Sequence, residues 1–513
     1  MIKINQHKGG ATLSYLAIFL TNVIGLLLTP FIIRSLGSAE YGLYTMIGAL
    51  IGYMSVLDFG LNDTVVRFVA KFRAENNKQG EENFLAHSFV MYTCISLLVA
   101  IVGSILYINL EHLYGDTLTP DQIGKAKIMM LILIFNLAIS LPGGAFGGIC
   151  SGYEEFVLPK LVNIIRYIIR SLLVVGILLY GGDSVSLVIL DTILNLIIIV
   201  INSYIVFKIL RVRIKMHFYD KKLFSSILGF SIWLFVFALI HQLRWQFGQL
   251  ILGLFYSTTI VAIYAVGSTL GNYYGAFSSA ISSVFLPRAI QMTVKNTSKG
   301  ELTDLFIKIS RIILFVLLFI LGCFLVIGKD FVFFWVGDEY SMAYYYSLAI
   351  MIGLTPTLSQ GFANNILEAK NLLVYRGKLM LSLTIIGVII SFFVVQKFGA
   401  MGMILVTIFF LLLERILIIP YYIKKANLDM IRYYKEISPL FFSILIAIII
   451  SLINHFFLPN KNVYVLMFNT IAFSIIYFIF CLFVMTKYEK ELFKSILIKI
   501  PVINKIYLNN TKK

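Results

Sequence analysis

Arg166 and Arg170 stand one helical turn apart within an apolar stretch, and His241 and Arg244 repeat the arrangement in another. A guanidinium presents a planar fork that grips phosphate oxygens in pairs, so two arginines on one helix face can receive a pyrophosphate. Asn163, Arg166 and Arg170 share such a face by their spacing, with Lys160 on the same half of the stretch. The same arginines can instead snorkel to the inner headgroups or pair with Glu154 and Glu155.

Arg244 lies deeper in its stretch, where snorkelling is harder, and this favours a cavity-facing role. His241 can titrate near neutral pH and couple movement to protons, or serve as a hydrogen-bonded structural group. Asp58 is either a cation or proton site or the structural partner of a neighbouring arginine; we favour the partner. Asp191, Asn195 and Asn202 form a polar stripe, and helix-to-helix hydrogen bonding accounts for the asparagines. Glu414 and Arg415 are adjacent on one helix, so at most one of them points squarely into a cavity.

The elements that must hold these groups are apolar. Of 513 residues, 59% are hydrophobic and 13% charged, with a mean hydropathy of +0.91; ordinary soluble domains carry about 25% charged residues. A charge near a bilayer centre costs about 2.5–3.5 kcal/mol on insertion scales and persists where it meets a cavity or a partner. About fourteen apolar runs, each close to the length that crosses a hydrocarbon core, lie near 12–34, 41–62, 85–108, 126–149, 157–180, 185–207, 224–248, 256–282, 305–327, 343–365, 378–396, 401–423, 437–457 and 464–485. The expected fold is all-α and polytopic, with about fourteen transmembrane helices. The first run has no small-residue cleavage pattern before Arg34 and reads as a retained span.

The net charge of +17 is concentrated in alternate loops, at Arg67, Lys71, Arg73 and Lys78, at Lys208, Arg211, Arg213, Lys215, Lys221 and Lys222, and at Arg288, Lys295 and Lys299. The other loops are acidic or neutral. The positive-inside rule then makes both termini and the basic loops cytoplasmic, and the charge needs no nucleic-acid partner. Residues 487–500 place Leu492, Phe493, Ile496, Leu497 and Ile500 on one face, as in a helix lying at the inner membrane surface. The four cysteines fall in or beside apolar runs without metal or redox spacing, and we expect no metal site.

The chain also resembles itself at an offset near 220 residues: Tyr44–Leu50 aligns with Tyr264–Leu270, Arg67 with Arg288, Gly115-Asp116 with Gly337-Asp338, and Tyr180-Gly181 with Phe398-Gly399. Six helices per half keep both halves the same way up, so the expected architecture is two parallel six-helix bundles, 1–222 and 223–436, then a helix pair at 437–486 and a tail at 487–513. Such repeats enclose a central cavity suited to alternating access. Phosphate-loop, H-E-x-x-H, G-x-S-x-G and Rossmann motifs are missing, the loops are short, and nothing points to an enzyme.

Leu36-Gly37-Ser38-Ala39-Glu40-Tyr41-Gly42-Leu43-Tyr44 resembles the LG-x-x-x-YG-x-Y segment of the polysaccharide transport family. Leu57-Asp58-Phe59-Gly60-Leu61, followed by Val66-Arg67-Phe68-Val69-Ala70, is similar to its second-helix signature. The family belongs to the multidrug/oligosaccharidyl-lipid/polysaccharide exporter superfamily and includes the Wzx-type flippases. The resemblance implies transfer of a polyprenyl-pyrophosphate-linked oligosaccharide (O-antigen, capsule or exopolysaccharide) to the outer leaflet of a bacterial inner membrane. It implies a basic cavity, no cofactor beyond H+ or Na+ coupling, and polymerase and chain-length proteins as partners. Asp58 and Arg67 match the motif itself; Arg288 is Arg67's repeat counterpart, and Arg166, Arg170 and Arg244 rest on their chemistry. The expected site is thus Arg67, Arg166, Arg170, Arg244 and Arg288 for substrate, with Asp58, Asp191, His241, Glu414 and Arg415 for coupling or cavity polarity. A drug exporter of the same superfamily would show more acid in its cavity, and an O-antigen polymerase or glycosyltransferase a larger outer loop.

Overall fold

The computed structural model describes residues 6–219, 221–294, 297–370, 372–457 and 462–498, and the regular elements among them are all helical. Helices are what a chain of this composition must form, because hydrocarbon offers the backbone no hydrogen bonds. The chain divides into two compact units, residues 1–268 with 374–410 and residues 269–373 with 411–513, a grouping that differs from the sequence boundaries at 222 and 436.

The first unit contains α1 (Gln6–Leu36), α2 (Ser38–Ser55), α3 (Leu61–Ala74), α4 (Lys78–Tyr114), α5 (Pro120–Gly152), α6 (Val157–Leu179), α7 (Ser184–Tyr204), α8 (Lys221–Trp245), α9 (Phe247–Phe255) and the start of α10 (Thr258–Val294). The second holds the rest of α10, α11 (Lys299–Val336), α12 (Ser341–Ser359) and α13 (Gly361–Ala369). Within α14 (Leu373–Tyr421), residues 374–410 belong to the first unit; α15 (Met430–Phe457), α16 (Val463–Val484) and α17 (Lys487–Ile498) complete the second.

The apolar runs fall mainly on helix, and among the described residues ten helices are long and apolar enough to cross a membrane. Fourteen remains the expectation from sequence. Part of the gap is that runs 11 and 12 merge into α14, which is broken only at Gly399 (φ 59, ψ −155). That backbone region is open essentially to glycine alone.

The second run departs from a straight helix. α2 ends at Ser55, a 3-10 turn covers Val56–Asp58, Phe59 and Gly60 adopt left-handed φ values of 53 and 66, and α3 then begins. Asp58 therefore sits on a break, and the second-helix signature is divided between the 3-10 turn that holds Asp58 and the α3 helix that holds Arg67. α8 fills the notch: Phe59 stacks on Phe235 at 4.6 Å, Thr64 bonds Ser231 at 2.9 Å, and a Cβ on Gly60 would lie 2.5 Å from that of Leu234. Two turns further along, Gln242 donates to the Gly52 carbonyl at 2.6 Å and accepts from Tyr53 through its own backbone carbonyl at 3.0 Å. These contacts place α8 in the first unit. Gly42 has a comparable task on α2, since a Cβ there would meet the Thr258 carbonyl oxygen at 1.8 Å.

Two local devices recur along the chain. α7 runs into a π-helical turn at Ile205–Ile209 followed by left-handed Arg211, and α14 into one at Tyr422–Ala426 followed by left-handed Asn427. Gly181 and Gly399, paired by the internal repeat, both have positive φ. Gly115 and Gly337, also paired, differ: Gly115 is right-handed at φ −63 and Gly337 stands at φ 104.

In the second unit α17 does more than rest on a membrane surface. Buried Arg311 of α11 donates to both Glu489 carboxylate oxygens at 2.6 and 3.0 Å, to the Val484 carbonyl at 2.9 Å, and to the Glu436 carbonyl. Phe493 meets Phe478 of α16 at 5.2 Å, while residues 499–513 and the Ile496 and Leu497 side chains lie outside the described residues. Burial works to raise the Glu489 carboxyl, but hydrogen bonds from Arg311 and the Thr486 N–H outweigh it and hold the group below its ordinary value.

Two outcomes follow from these contacts. Gly60→Ala should destabilise the protein by at least about 1 kcal/mol from its left-handed backbone alone, read as a lower melting temperature in detergent. Gly124→Ala, where a Cβ meets nothing within 4 Å, should not. Because the Glu489 carboxyl is depressed on folding, its contribution is complete above its unfolded value and lost as pH falls through the folded one. The stability gap between wild type and Glu489→Gln should therefore be wide at neutral pH and close on acidification.

Candidate functional site

The cationic face of α6 is built from its first turn. The chain reverses at Glu154, in left-handed conformation, and the Gln6 side chain of α1 caps the new helix by accepting from the Phe156 and Val157 N–H groups at 3.2 and 3.0 Å. Gln6 also donates to Glu155 at 2.8 Å, so this carboxylate is engaged by α1 and not by an arginine. Lys160 donates to the Gly10 carbonyl at 3.1 Å and to Ser14. The two helices approach closely here, since a Cβ on Gly10 would lie 2.6 Å from that of Phe156.

Arg170 forms a two-pronged pair with Asp191 of α7, Nε to Oδ1 at 2.5 Å and Nη2 to Oδ2 at 2.8 Å, and Tyr44 of α2 donates to Oδ2 at 3.5 Å. Side-chain exposures of 25% and 29% leave the pair within reach of a ligand. Beyond it, Val174, Leu178, Leu187, Leu190 and Leu194 form an apolar cluster with Tyr44 and the end of α1. Arg166, one turn nearer the start of α6, lies over the Tyr167 ring at 5.1 Å, and its Nε is buried without a hydrogen-bond partner among the described residues. One helix face thus carries an ammonium bonded to α1, a guanidinium held by a carboxylate, and a guanidinium with a donor unspent. An entering anion would take up the third and compete with Asp191 for the second.

The other expected residues lie elsewhere. Half-buried Arg244 donates to Thr384 at 2.8 Å, and His241, one turn earlier on α8, is exposed. Arg67 is exposed on α3, and the Arg288 side chain lies outside the described residues. Asn195 donates to Asn136 at 2.7 Å and to Ser140 at 2.5 Å, the interhelical bonding expected of the stripe, and Asn202 is buried.

In the second unit Glu414 and Arg415 are both buried and bonded to each other; Arg415 also reaches Tyr422 at 3.4 Å, and Tyr422 donates to Asn364 at 2.8 Å. Two long side chains bend together here across the angle between neighbouring positions. Burial of both makes pairing the way to hold two charges there.

Sequence reasoning passed over Glu40 and Tyr44. Glu40 accepts from Lys125 at 2.9 Å and from the Ser184 N–H at 2.8 Å, so α2 ties α5 to α7 at one level and, through Tyr44, to Asp191 at another. Their four-residue spacing on α2, against the seven from Ser184 to Asp191, was the available signal. Arg311 was passed over as well, although it stands with Lys308 as one of two cations in an otherwise apolar run.

A family model described as polysaccharide biosynthesis protein matches residues 8–293. A Shigella flexneri protein named for O-antigen transport is 24% identical over 262 residues, covering 50% of this chain and 60% of that protein. The uncharacterized membrane protein EpsK of Bacillus subtilis strain 168 is 27% identical over 160 residues, 30% of each chain. The chain thus spans less than two thirds of the length of either relative. Among solved structures, the lipid II flippase MurJ in an inward closed conformation aligns with a TM-score of 0.69 at 16% identity, covering 91% of this chain and 97% of MurJ. An inward-facing multidrug resistance transporter of the MATE family, in the MOP superfamily, gives 0.58 at 11% identity, covering 80% and 94%. These likenesses establish the fold: an all-helical membrane protein built like MurJ and the MATE transporters. Since the family model covers more than half of its length, the chain belongs to the polysaccharide biosynthesis protein family.

Proposed function

We propose that this protein is a flippase that moves a polyprenyl-pyrophosphate-linked oligosaccharide from the cytoplasmic to the outer leaflet of a bacterial inner membrane, by alternating access and with both termini cytoplasmic. The observation that carries the reading is the α6 face, where Arg166 keeps an unpaired Nε one turn from the exchangeable Arg170–Asp191 pair. Family membership, the relative named for O-antigen transport and the fold shared with a lipid II flippase support it. The substrate's pyrophosphate and glycan are rejected by hydrocarbon while its polyprenyl tail is at home there. A cationic site within a lipid-embedded protein supplies what the head needs and leaves the tail in the bilayer. In this scheme substrate displaces Asp191 from Arg170, and release of the product restores the pair. Coupling to H+ or Na+ through Asp58 or His241, with Arg244 as a further substrate contact and polymerase and chain-length proteins as partners, completes the proposal.

The shared MATE fold makes a cation-coupled drug exporter the second reading. One reconstitution separates the two. Purified protein in liposomes should transfer a lipid-linked oligosaccharide between leaflets, and Arg166→Ala and Arg170→Ala should each slow transfer about tenfold or more, the worth of one charge-assisted contact of about 1.5–3 kcal/mol. Arg244→Ala should also slow it. Full-rate transfer by the Arg166→Ala/Arg170→Ala double variant would refute the site, and proton-driven dye efflux without lipid transfer would favour the exporter.

A further inference from the structure

The second unit carries a groove that the flippase reading does not use. α11, α16 and α17 enclose a cavity of about 320 Å³ whose walls include Ile312, Phe315, Phe319, Phe478 and Phe493. Its polar end is Arg311, and all three of that residue's guanidinium nitrogens are already engaged by Glu489 and by the Val484 and Glu436 carbonyls. The groove thus offers an occupant aliphatic and aromatic surface, and a charged ligand finds its counter-charge only at the rim.

The rim is cationic. Lys308, Ile312, Phe315, Val316 and Phe319 follow one another at helical spacing along a single face of α11, which is partly exposed while the flanking positions are buried. Lys308 stands exposed one turn before the groove, with Nζ 5.2 Å from the centroid of Tyr488 on α17. Lys487, Lys490 and Lys494 are also exposed on α17, against one exposed carboxylate there, Glu491, since Glu489 is neutralised by Arg311. A cation one helical turn from an apolar slot on the same face matches the anatomy of a lipid with a negative headgroup.

We propose that this groove is a binding site for an anionic phospholipid, with an acyl chain along Ile312, Phe315 and Phe319 and the phosphate at the Lys308–Tyr488 rim. The lipid bridges α11 to α17 and so fastens the last described helix to the unit. This site is separate from the α6 face and does not depend on the flippase reading.

The test uses the full chain purified in neutral detergent, with dioleoylphosphatidylglycerol and dioleoylphosphatidylcholine as probes, retained lipid weighed by native mass spectrometry and stability followed by thermal melting. Phosphatidylglycerol should be retained and raise the melting temperature, with phosphatidylcholine weaker by about tenfold or more. Lys308→Glu, a change at an exposed position, should abolish that preference, and Val316→Trp, which fills the slot, should remove retention of both lipids. Equal retention of the two lipids by wild type, or wild-type behaviour of Lys308→Glu, would overturn the proposal. Displacement of phosphatidylglycerol by an equal concentration of a polyprenyl phosphate would overturn the choice of occupant and give the groove to the carrier lipid.

Discussion

A charge carried on an apolar helix is costly unless another part of the same protein answers it, and three charges answered in this way organise the structure. Arg170 is answered by Asp191, Arg415 by Glu414 and Arg311 by Glu489. Breaking a buried pair by removing one member costs about 3–5 kcal/mol, because the survivor is left without compensation. Arg170–Asp191 joins α6 to α7, and Arg311–Glu489 joins α11 to α17. Apolar packing alone would tolerate many sliding arrangements of such helices; charge pairs, with the Asn136–Ser140–Asn195 network, select one.

The pairs differ in how freely they can be exchanged. Glu414 and Arg415 are shielded almost completely and share a hydrogen-bonded chain with Tyr422 and Asn364 beside the π-helical turn that closes α14. Arg170 and Asp191 are a quarter or more exposed and lie beside a second guanidinium with an unused donor. The first arrangement suits a fixed brace and the second a site whose counter-ion can be replaced. In this protein the position of a charge along a helix says less about its role than the accessibility of its partner.

Much of this was legible in the sequence. The placement of helices followed from run length, because the hydrocarbon thickness leaves little freedom. The α6 arginines were visible as a spacing, and the asparagine stripe resolved as interhelical bonding. Asp191 was noticed, but its partner was not, since pairing across helices depends on rotation about each axis and no periodicity reports that. The break at Phe59 and Gly60 stayed hidden inside a continuous apolar run, because Leu-Asp-Phe-Gly-Leu reads as helix until Phe235 and Leu234 are known to fill the notch. The π-helical turns have no local sequence signal that we recognise.

The junction at Gly399 sets a limit on how this protein can be probed. Two long apolar helical segments meet there across a single residue with φ 59 and ψ −155, so no flexible peptide separates them. A reporter, epitope or protease site placed between them would have to unwind helix on both sides, and its failure would say nothing about which side of the membrane the junction faces. The stretch from Arg211 to Tyr219 differs, lying outside regular helix with cationic side chains exposed at Arg211, Arg213 and Lys215. Topology mapping by insertion will therefore be informative at that stretch, whereas the Gly399 junction calls for single-cysteine labelling that leaves the backbone intact.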